Sequence, residues 1–328
     1  MAKTKRILSG MRPTGPLHLG NYHGALKNWV TLQDTHECFF FIADWHALTS
    51  DYESPDAIGA NIRHMILDWL SVGLDPEKST FFVQSHIKEH AELFLLLTMI
   101  TPVPWLERNP TYKDQIVQLN NKDLSTFGFL GYPVLQAADI IIYKAEAVPV
   151  GIDQVPHVEI TREIARRFNF LYGEVFPEPE SILTKTSKIL GLDRRKMSKS
   201  YNNAIYLSDT AETVADKVSR MITDPQRARR SDPGNPDECN VFEFHKQYSD
   251  PDLVSRIAPL CRKAEIGCVE CKKQMAESLN AALAPVREKR MYYETRPELV
   301  DEIIKHGDDK ARQAAQATMT DVRKAIKI

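Results

Sequence analysis

The sequence predicts an α/β protein in which a parallel sheet is followed by a helical domain. In the first half of its 328 residues, short apolar runs rich in Ile, Phe and Val alternate with segments whose apolar residues recur every three or four positions. After about Asn202 such runs fade and helical periodicity remains. The length agrees with two domains, because single hydrophobic cores stop growing beyond roughly 250–300 residues.

Three apolar segments of the first half are predicted strands: residues 6–11, 37–44 and 79–85. The stretches 22–32 and 56–72 lie between them and have the spacing of amphipathic helices. This alternation favours βαβ units, and hence a parallel sheet. Such sheets bind ligands at the carboxyl ends of their strands, where each crossover begins.

The predicted elements continue toward the carboxyl terminus. Residues 131–151 read as a helix followed by a short buried strand, and a further helix is expected over about 154–168. The remaining predicted helices cover residues 210–222, 252–262, 270–290 and 297–328.

Composition and charge narrow the class of protein. With 43% hydrophobic and 26% charged residues, the chain has a globular composition. No apolar run approaches the roughly 20 residues of a transmembrane helix, and the amino terminus lacks the apolar stretch of a signal peptide, so we expect a cytoplasmic protein. The net charge of −2 indicates no overall attraction to nucleic acid, yet the local cluster of Arg227, Arg229 and Arg230 can contact phosphates.

The first motif follows the first predicted strand and reads Pro-Thr-Gly-Pro-Leu-His-Leu-Gly-Asn over residues 13–21. An open Gly/Pro turn lets a nucleotide approach the backbone, and a helix that begins near Gly20 offers unpaired N–H groups and positive potential. His18 is placed to donate to a phosphate or ribose oxygen. Taken alone, a turn glycine and a surface histidine before a helix would be ordinary.

The second motif reads Lys-Met-Ser-Lys-Ser over residues 196–200. A charge run this short is ordinarily a solvated loop. The two motifs together, in this order and at these places, resemble the signatures of class I aminoacyl-tRNA synthetases. In those enzymes a carboxylate attacks the α-phosphate of ATP and expels pyrophosphate, which requires positioning and preorganised positive charge. The resemblance implies that Lys196 and Lys199 close over the pyrophosphate while His18 holds the nucleotide, with Mg2+ sharing the charge.

Further segments resemble bacterial tryptophanyl-tRNA synthetases in order and spacing. They read SGMRPTGPLHLGNYHGAL, DWHALTS, GYPVLQAADIIIY, VPVGIDQVPHVEITREIARRFN and KMSKS. The resemblance spans nearly the whole chain and implies a homodimer that activates L-tryptophan with ATP and transfers it to tRNA(Trp). It also implies four regions: a Rossmann-like catalytic domain over 1–190, a KMSKS loop over 191–205, a helical anticodon-binding domain over 206–300, and a C-terminal helix over 301–328 that packs back toward the catalytic domain.

The resemblance also implies roles for individual residues. The catalytic residues would be His18, Lys196 and Lys199. The ATP-binding residues would be Arg12, Thr14, Gly20, Asn21, Gly151, Asp153, Met197, Ser198 and Ser200. The tryptophan-binding residues would be Asp139, Tyr132, His46, Gln136, Gln154, Val148 and Val150. Among these, Asp139 would accept the indole N–H, since an indole nitrogen only donates and a carboxylate only accepts.

Two positions depart from the family pattern. Ile152 stands where members often have glutamate, which puts in doubt the contact that this glutamate makes. Gln136 replaces a methionine present in many members, and a glutamine and an aspartate three residues apart occur in the related tyrosyl enzymes. Tyrosyl-tRNA synthetase is therefore the alternative function, and a non-catalytic iron–sulfur protein that binds RNA is a third.

Four of the five cysteines form the pattern C-x21-C-x6-C-x2-C over Cys239, Cys261, Cys268 and Cys271. A Cys-x2-Cys pair with two further thiols can complete a tetrahedral metal site, whereas disulfides are uncommon in the cytoplasm. Zinc and an iron–sulfur cluster both suit four thiolates. A subset of bacterial tryptophanyl-tRNA synthetases has nearly this spacing and binds a 4Fe-4S cluster. The resemblance therefore favours the cluster, with zinc as the alternative.

Overall fold

The computed structural model describes residues 5–118, 123–183 and 189–328. In these residues the strands form one parallel, five-stranded sheet with the order β3-β2-β1-β4-β5. The strands are β1 (Arg6–Met11), β2 (Glu37–Ile42), β3 (Ser79–Val83), β4 (Ala147–Val150) and β5 (Glu180–Leu183). The predicted α/β class is confirmed, and β1 has the predicted bounds.

Helices cover both faces of the sheet, which explains why β2 and β3 are apolar runs without alternation. The helices are α1 (Leu19–Asn21), α2 (Lys27–Leu32), α3 (Asp44–Asp51), α4 (Ile58–Ser71), α5 (Glu89–Thr98), α6 (Val103–Glu107), α7 (Pro110–Gln118), α8 (Phe127–Ile142), α9 (Val155–Tyr172), α10 (Ala211–Ser219), α11 (Asn240–Tyr248), α12 (Pro251–Arg262), α13 (Cys268–Glu294) and α14 (Pro297–Ile326). A π-helical turn over Tyr22–Leu26 joins α1 to α2. In the part of the chain that the structure describes, no helix is long and apolar enough to span a bilayer.

Two hydrophobic clusters lie on opposite faces of the sheet, because side chains alternate along each strand. Ile7 and Phe40 belong to the first cluster, which continues into the helical half through Met275 and Leu279 of α13. The second cluster contains residues of β1 and β2 together with α5, α8, α9 and α14. The sheet and the helical half therefore share a core.

The carboxyl-terminal helix α14 lies against β3. A Cβ atom at Gly307 would lie 1.7 Å from the carbonyl oxygen of Phe81, so only glycine permits this close approach. The neighbouring Asp308 accepts a hydrogen bond from the backbone N–H of Val83 at 3.1 Å and lies 2.6 Å from Nδ1 of His86.

A buried ion pair connects the helical half to the first motif. Arg290 of α13 pairs with Asp68 of α4, and the second oxygen of Asp68 accepts from the backbone N–H of Leu17 at 2.9 Å. Burial raises the pKa of Asp68 to about 6, although the charge of Arg290 opposes this rise.

Candidate active site

A cavity of about 370 Å³ opens at the carboxyl ends of β1 and β4. This volume lies in the range of small-molecule sites, about 300–1,000 Å³. Residues of β1, α3, α8, β4 and the start of α9 form its walls. All seven residues predicted to bind tryptophan line it: His46, Tyr132, Gln136, Asp139, Val148, Val150 and Gln154. Two of the predicted ATP-binding residues, Arg12 and Gly151, line it as well.

Asp139 of α8 is the buried polar centre of this cavity, with a relative exposure of 0%. Its Oδ2 lies 2.8 Å from Nε2 of His46, and its Oδ1 lies 2.6 Å from Nδ1 of His90. The side-chain amide of Gln84 donates to both carboxylate oxygens, at 2.8 and 3.0 Å. Because an ionised carboxylate only accepts, both histidine nitrogens that face it carry hydrogens.

These donors keep Asp139 ionised. Burial by itself would raise the pKa of the carboxyl, but the hydrogen bonds and charges of His46 and His90 lower it below its ordinary value. The other ring nitrogen of His90, Nε2, lies 2.7 Å from the hydroxyl of Tyr143. The cavity therefore contains a fixed negative charge before any ligand binds.

A second polar group lies on the wall formed by α8 and α9. The hydroxyl of Tyr132 lies 3.0 Å from Nε2 of His157, and Nδ1 of His157 lies 3.1 Å from Oε1 of Gln154. The amide nitrogen of Gln154 donates to Asp153 at 3.0 Å. Burial raises the pKa of Tyr132, so its hydroxyl stays protonated.

The apolar part of the cavity depends on a glycine. A Cβ atom at Gly10 would lie 2.4 Å from the ring of Phe41, which lines the cavity, so any side chain there would displace that ring. Val148 and Val150 of β4 complete this apolar wall.

His18 of the first motif is held in one orientation by Asn21. The backbone N–H of Asn21 donates to Nδ1 of His18 at 3.2 Å, and the side-chain oxygen of Asn21 accepts from the backbone of His18 at 3.0 Å. Burial and the charges of Lys199 and Lys196 lower the pKa of His18 to about 4. The ring is therefore neutral near pH 7, with its proton on Nε2. A Cβ atom at Gly20 would lie 2.9 Å from this ring, so the glycine gives it room.

The shape of the KMSKS segment is maintained by Asn203, a buried residue that was not predicted from the sequence. Its side-chain oxygen accepts from the backbone N–H of Ser198 at 2.8 Å, and its amide nitrogen donates to Asp193 at 2.6 Å. Near the end of this segment, the carbonyl of Ile205 accepts from the backbone N–H of Leu19 at 3.0 Å.

The two lysines of this segment differ in environment. Nζ of Lys199 lies 3.5 Å from the hydroxyl of Thr14, and burial lowers the pKa of Lys199 to about 8. Lys196 is exposed, and its charge reaches His18. The structure therefore brings both motifs together at one end of the sheet.

Several predicted residues do not line the cavity. They lie at the two motifs or, for Asp153, beside Gln154: His18, Thr14, Gly20, Asn21, Asp153, Lys196, Met197, Ser198, Lys199 and Ser200. Ile152 is 75% exposed and does not line the cavity. The side chain at this position, whether isoleucine or the family's usual glutamate, therefore makes no contact inside the cavity.

Gln84, His90 and His157 were also not predicted from the sequence. His157 stands three residues after Gln154, a spacing that places both on one helix face, so this signal was present in the sequence. Gln84 and His90 lie in segments without a motif.

Comparison with known proteins identifies the family. A family model described as tRNA synthetases class I (W and Y) matches residues 2–284. The chain belongs to this family.

The relatives of this class I synthetase match it along its length. The tryptophan–tRNA ligase of Thermotoga maritima is 54% identical, over 98% of this chain and 99% of its own. The tryptophan–tRNA ligase of Aquifex aeolicus is 48% identical, over 98% and 100%. A crystal structure of tryptophanyl-tRNA synthetase from Campylobacter jejuni, complexed with ADP and tryptophan, is 36% identical, has a TM-score of 0.91, and is matched over 98% of this chain and 100% of that chain. The predicted family is thereby confirmed.

The four clustered cysteines of this synthetase lie where α11, α12 and α13 meet. They are free thiols close enough for the charge of one to affect another. Burial raises the pKa of Cys239 and Cys261, and it raises that of Cys271 to about 12. Within residues 5–118, 123–183 and 189–328, no group of three or more His, Cys, Asp or Glu side chains is arranged to hold a metal ion.

Proposed function

We propose that the chain is a tryptophan–tRNA ligase, which activates L-tryptophan with ATP to tryptophanyl-AMP and transfers it to tRNA(Trp). The observation that carries this proposal is the ionised Asp139 in a cavity with apolar walls. His46 and His90 each donate to one oxygen of this carboxylate and Gln84 donates to both, so the ionised group is held at the cavity wall, where an indole N–H, which only donates, is a matching ligand. The names of the relatives support the same substrate.

Selectivity follows from the buried acceptor. A side chain without a matching donor would leave the carboxylate of Asp139 without a partner on the ligand inside the cavity. Sites of this type discriminate by roughly 10⁴–10⁵-fold without editing. Gln136 also lines the cavity at the spacing found in tyrosyl enzymes, so tyrosine is the rival substrate.

In the proposed activation step, a carboxylate oxygen of tryptophan attacks the α-phosphorus of ATP, and the P–O bond to pyrophosphate breaks. Lys199 and Lys196 place positive charge near the leaving pyrophosphate, and His18 donates from Nε2 to the nucleotide. Mg2+ that accompanies ATP shares the phosphate charge. A ribose hydroxyl at the 3′ end of tRNA then attacks the carbonyl carbon, and AMP leaves. The nucleotide is held by Arg12, Thr14, Gly20, Asn21, Gly151, Asp153, Met197, Ser198 and Ser200.

Mass spectrometry of the enzyme-bound adenylate tests the substrate assignment. The protein is incubated with ATP and an equimolar mixture of the twenty amino acids, and bound aminoacyl-adenylates are identified. We expect tryptophanyl-adenylate. Tyrosyl-adenylate would contradict the assignment of the cavity, and the absence of any adenylate would contradict the proposed reaction.

The four cysteines are proposed as ligands of a 4Fe-4S cluster. The donor set fits, because four thiols meet at the ends of three helices and repel one another when ionised, a cost that a cationic centre removes. When bound, the cluster would fix α11, α12 and α13 relative to one another. Iron and acid-labile sulfide measured after anaerobic purification test this, and stoichiometric zinc instead would contradict it.

The regions are proposed as a catalytic domain over 1–190, a KMSKS loop over 191–205, an anticodon-binding domain over 206–300 and a C-terminal helix over 301–328, in a cytoplasmic enzyme. For the proposed homodimer, a partner would cover the exposed apolar side chains of Val103 on α6, Val117 on α7 and Phe127 on α8, together with Met99, which follows α5. Light scattering after gel filtration tests the dimer, and a monomer at micromolar concentration would contradict it.

A further inference from the structure

Four residues form a hydrogen-bonded chain along the wall of the cavity, and its direction can be deduced. The carboxylate of Asp153 only accepts, so Gln154 turns its amide nitrogen toward it, at 3.0 Å. The carbonyl oxygen Oε1 of Gln154 therefore faces Nδ1 of His157, at 3.1 Å. Because this oxygen only accepts, Nδ1 carries the hydrogen.

The second nitrogen of His157 fixes the orientation of Tyr132. His157 is neutral near pH 7, because burial and the charge of His46 lower its pKa to about 4. In a neutral ring with its hydrogen on Nδ1, Nε2 only accepts. The hydroxyl of Tyr132, at 3.0 Å, must therefore donate its one proton to Nε2. Only the lone pairs of this oxygen remain for a ligand in the cavity.

We propose that His157 is a positioning residue that turns Tyr132 and Gln154 into acceptors for the α-ammonium group of the amino-acid substrate. Both acceptors line the same cavity, and an ammonium group has donors but no acceptor. The inference rests on the proposed function, which supplies an amino acid as ligand. In this arrangement Asp139 accepts a hydrogen bond from the indole N–H, and Tyr132 and Gln154 accept hydrogen bonds from the ammonium group.

The affinities of three ligands distinguish the proposed positioning role of His157 from a general effect of the substitution on packing. Tryptophan and tryptamine carry the ammonium group, whereas indole-3-propionate lacks it, and the affinity of each is measured by calorimetry. His157→Leu should raise the Kd of tryptophan and tryptamine roughly tenfold, because hydrogen bonds to a charged group are lost. The Kd of indole-3-propionate should change by less than about twofold. His157→Gln, whose amide offers both a donor and an acceptor, should restore part of the affinity.

The matched control is Thr161→Val, one turn further along α9. Thr161 is buried and its hydroxyl donates to the backbone oxygen of His157 at 2.8 Å, without contact to the ring nitrogens. This variant should leave the ratio of the three affinities unchanged.

Two results would overturn the inference: equal weakening of all three ligands by His157→Leu, or no change in any. Should that variant not fold, Tyr132→Phe tests the same polarity, since it also should weaken only the two ligands with an ammonium group, and equal weakening overturns the inference. A wild-type protein that binds no tryptophan would instead contradict the proposed function itself.

Discussion

Asparagine at position 139 would keep the shape of the aspartate but replace one accepting oxygen by a donating nitrogen. In the wild-type protein His46, His90 and Gln84 all donate to this carboxylate, so the amide nitrogen would face at least one donor. Tryptophan would lose a charge-assisted hydrogen bond worth about 1.5–3 kcal/mol. At about 1.4 kcal/mol per factor of ten, kcat/KM for tryptophan should fall roughly 10- to 150-fold. The free energy of unfolding should also fall, by about 1–3 kcal/mol for the buried donor left unpaired.

ATP–pyrophosphate exchange measures this loss, with circular dichroism to confirm folding. Asp308→Asn is the matched control, because Asp308 is also buried and also contacts a histidine, His86 at 2.6 Å, but lies on α14 outside the cavity lining. It should lower stability while leaving kcat/KM for tryptophan within about twofold. A folded Asp139→Asn variant with kcat/KM within about threefold of wild type would refute the role given to this carboxylate.

Three further predictions concern other parts of the molecule. Lys199→Gln should lower kcat of exchange by about 10²-fold and leave KM for tryptophan unchanged, because the proposed role of this cation is to stabilise the leaving pyrophosphate; a raised KM alone would contradict this. Arg290→Ala should lower the free energy of unfolding by about 3–5 kcal/mol in urea titrations, since it leaves a buried carboxylate unpaired, and a loss below about 1 kcal/mol would count against the pair. The fold lowers the pKa of His18, His23 and His157 to about 4, so on acidification the unfolded chain binds protons at these residues before the folded chain does. Their contribution to the free energy of unfolding should therefore be fully present above pH 6.5 and should decline toward pH 4. A melting temperature that is constant between about pH 7 and pH 5 would contradict this.

The sequence predicted those parts of the fold whose local pattern and burial agree. β1, β2 and β3 are apolar and buried, and α9, α10, α12 and α13 overlap their predicted spans. β5 was missed because its four residues lie at the sheet edge, are exposed at both ends and half-buried between them, and form no apolar run. α11 was not predicted either. Tertiary packing rather than local periodicity stabilises such elements.

For the candidate site, the motif residues could be named from the sequence but their partners could not. All seven residues predicted to bind tryptophan line one cavity, yet their individual roles remain predictions. Gln84 follows β3 and is separated from Asp139 by 55 positions in the sequence, and His90 lies on α5 and is separated from it by 49 positions. No spacing rule predicts such contacts, because they depend on the register of the sheet.

The most direct test of the central claim is ATP–pyrophosphate exchange with tryptophan or tyrosine supplied as the only amino acid to anaerobically purified protein. The buried acceptor Asp139 predicts exchange with tryptophan and a kcat/KM for tyrosine that is lower by at least roughly 10²-fold, since a phenol ring does not present the indole N–H. Exchange driven equally well or better by tyrosine would contradict the substrate assignment. No exchange with either amino acid from folded protein would contradict the catalytic function.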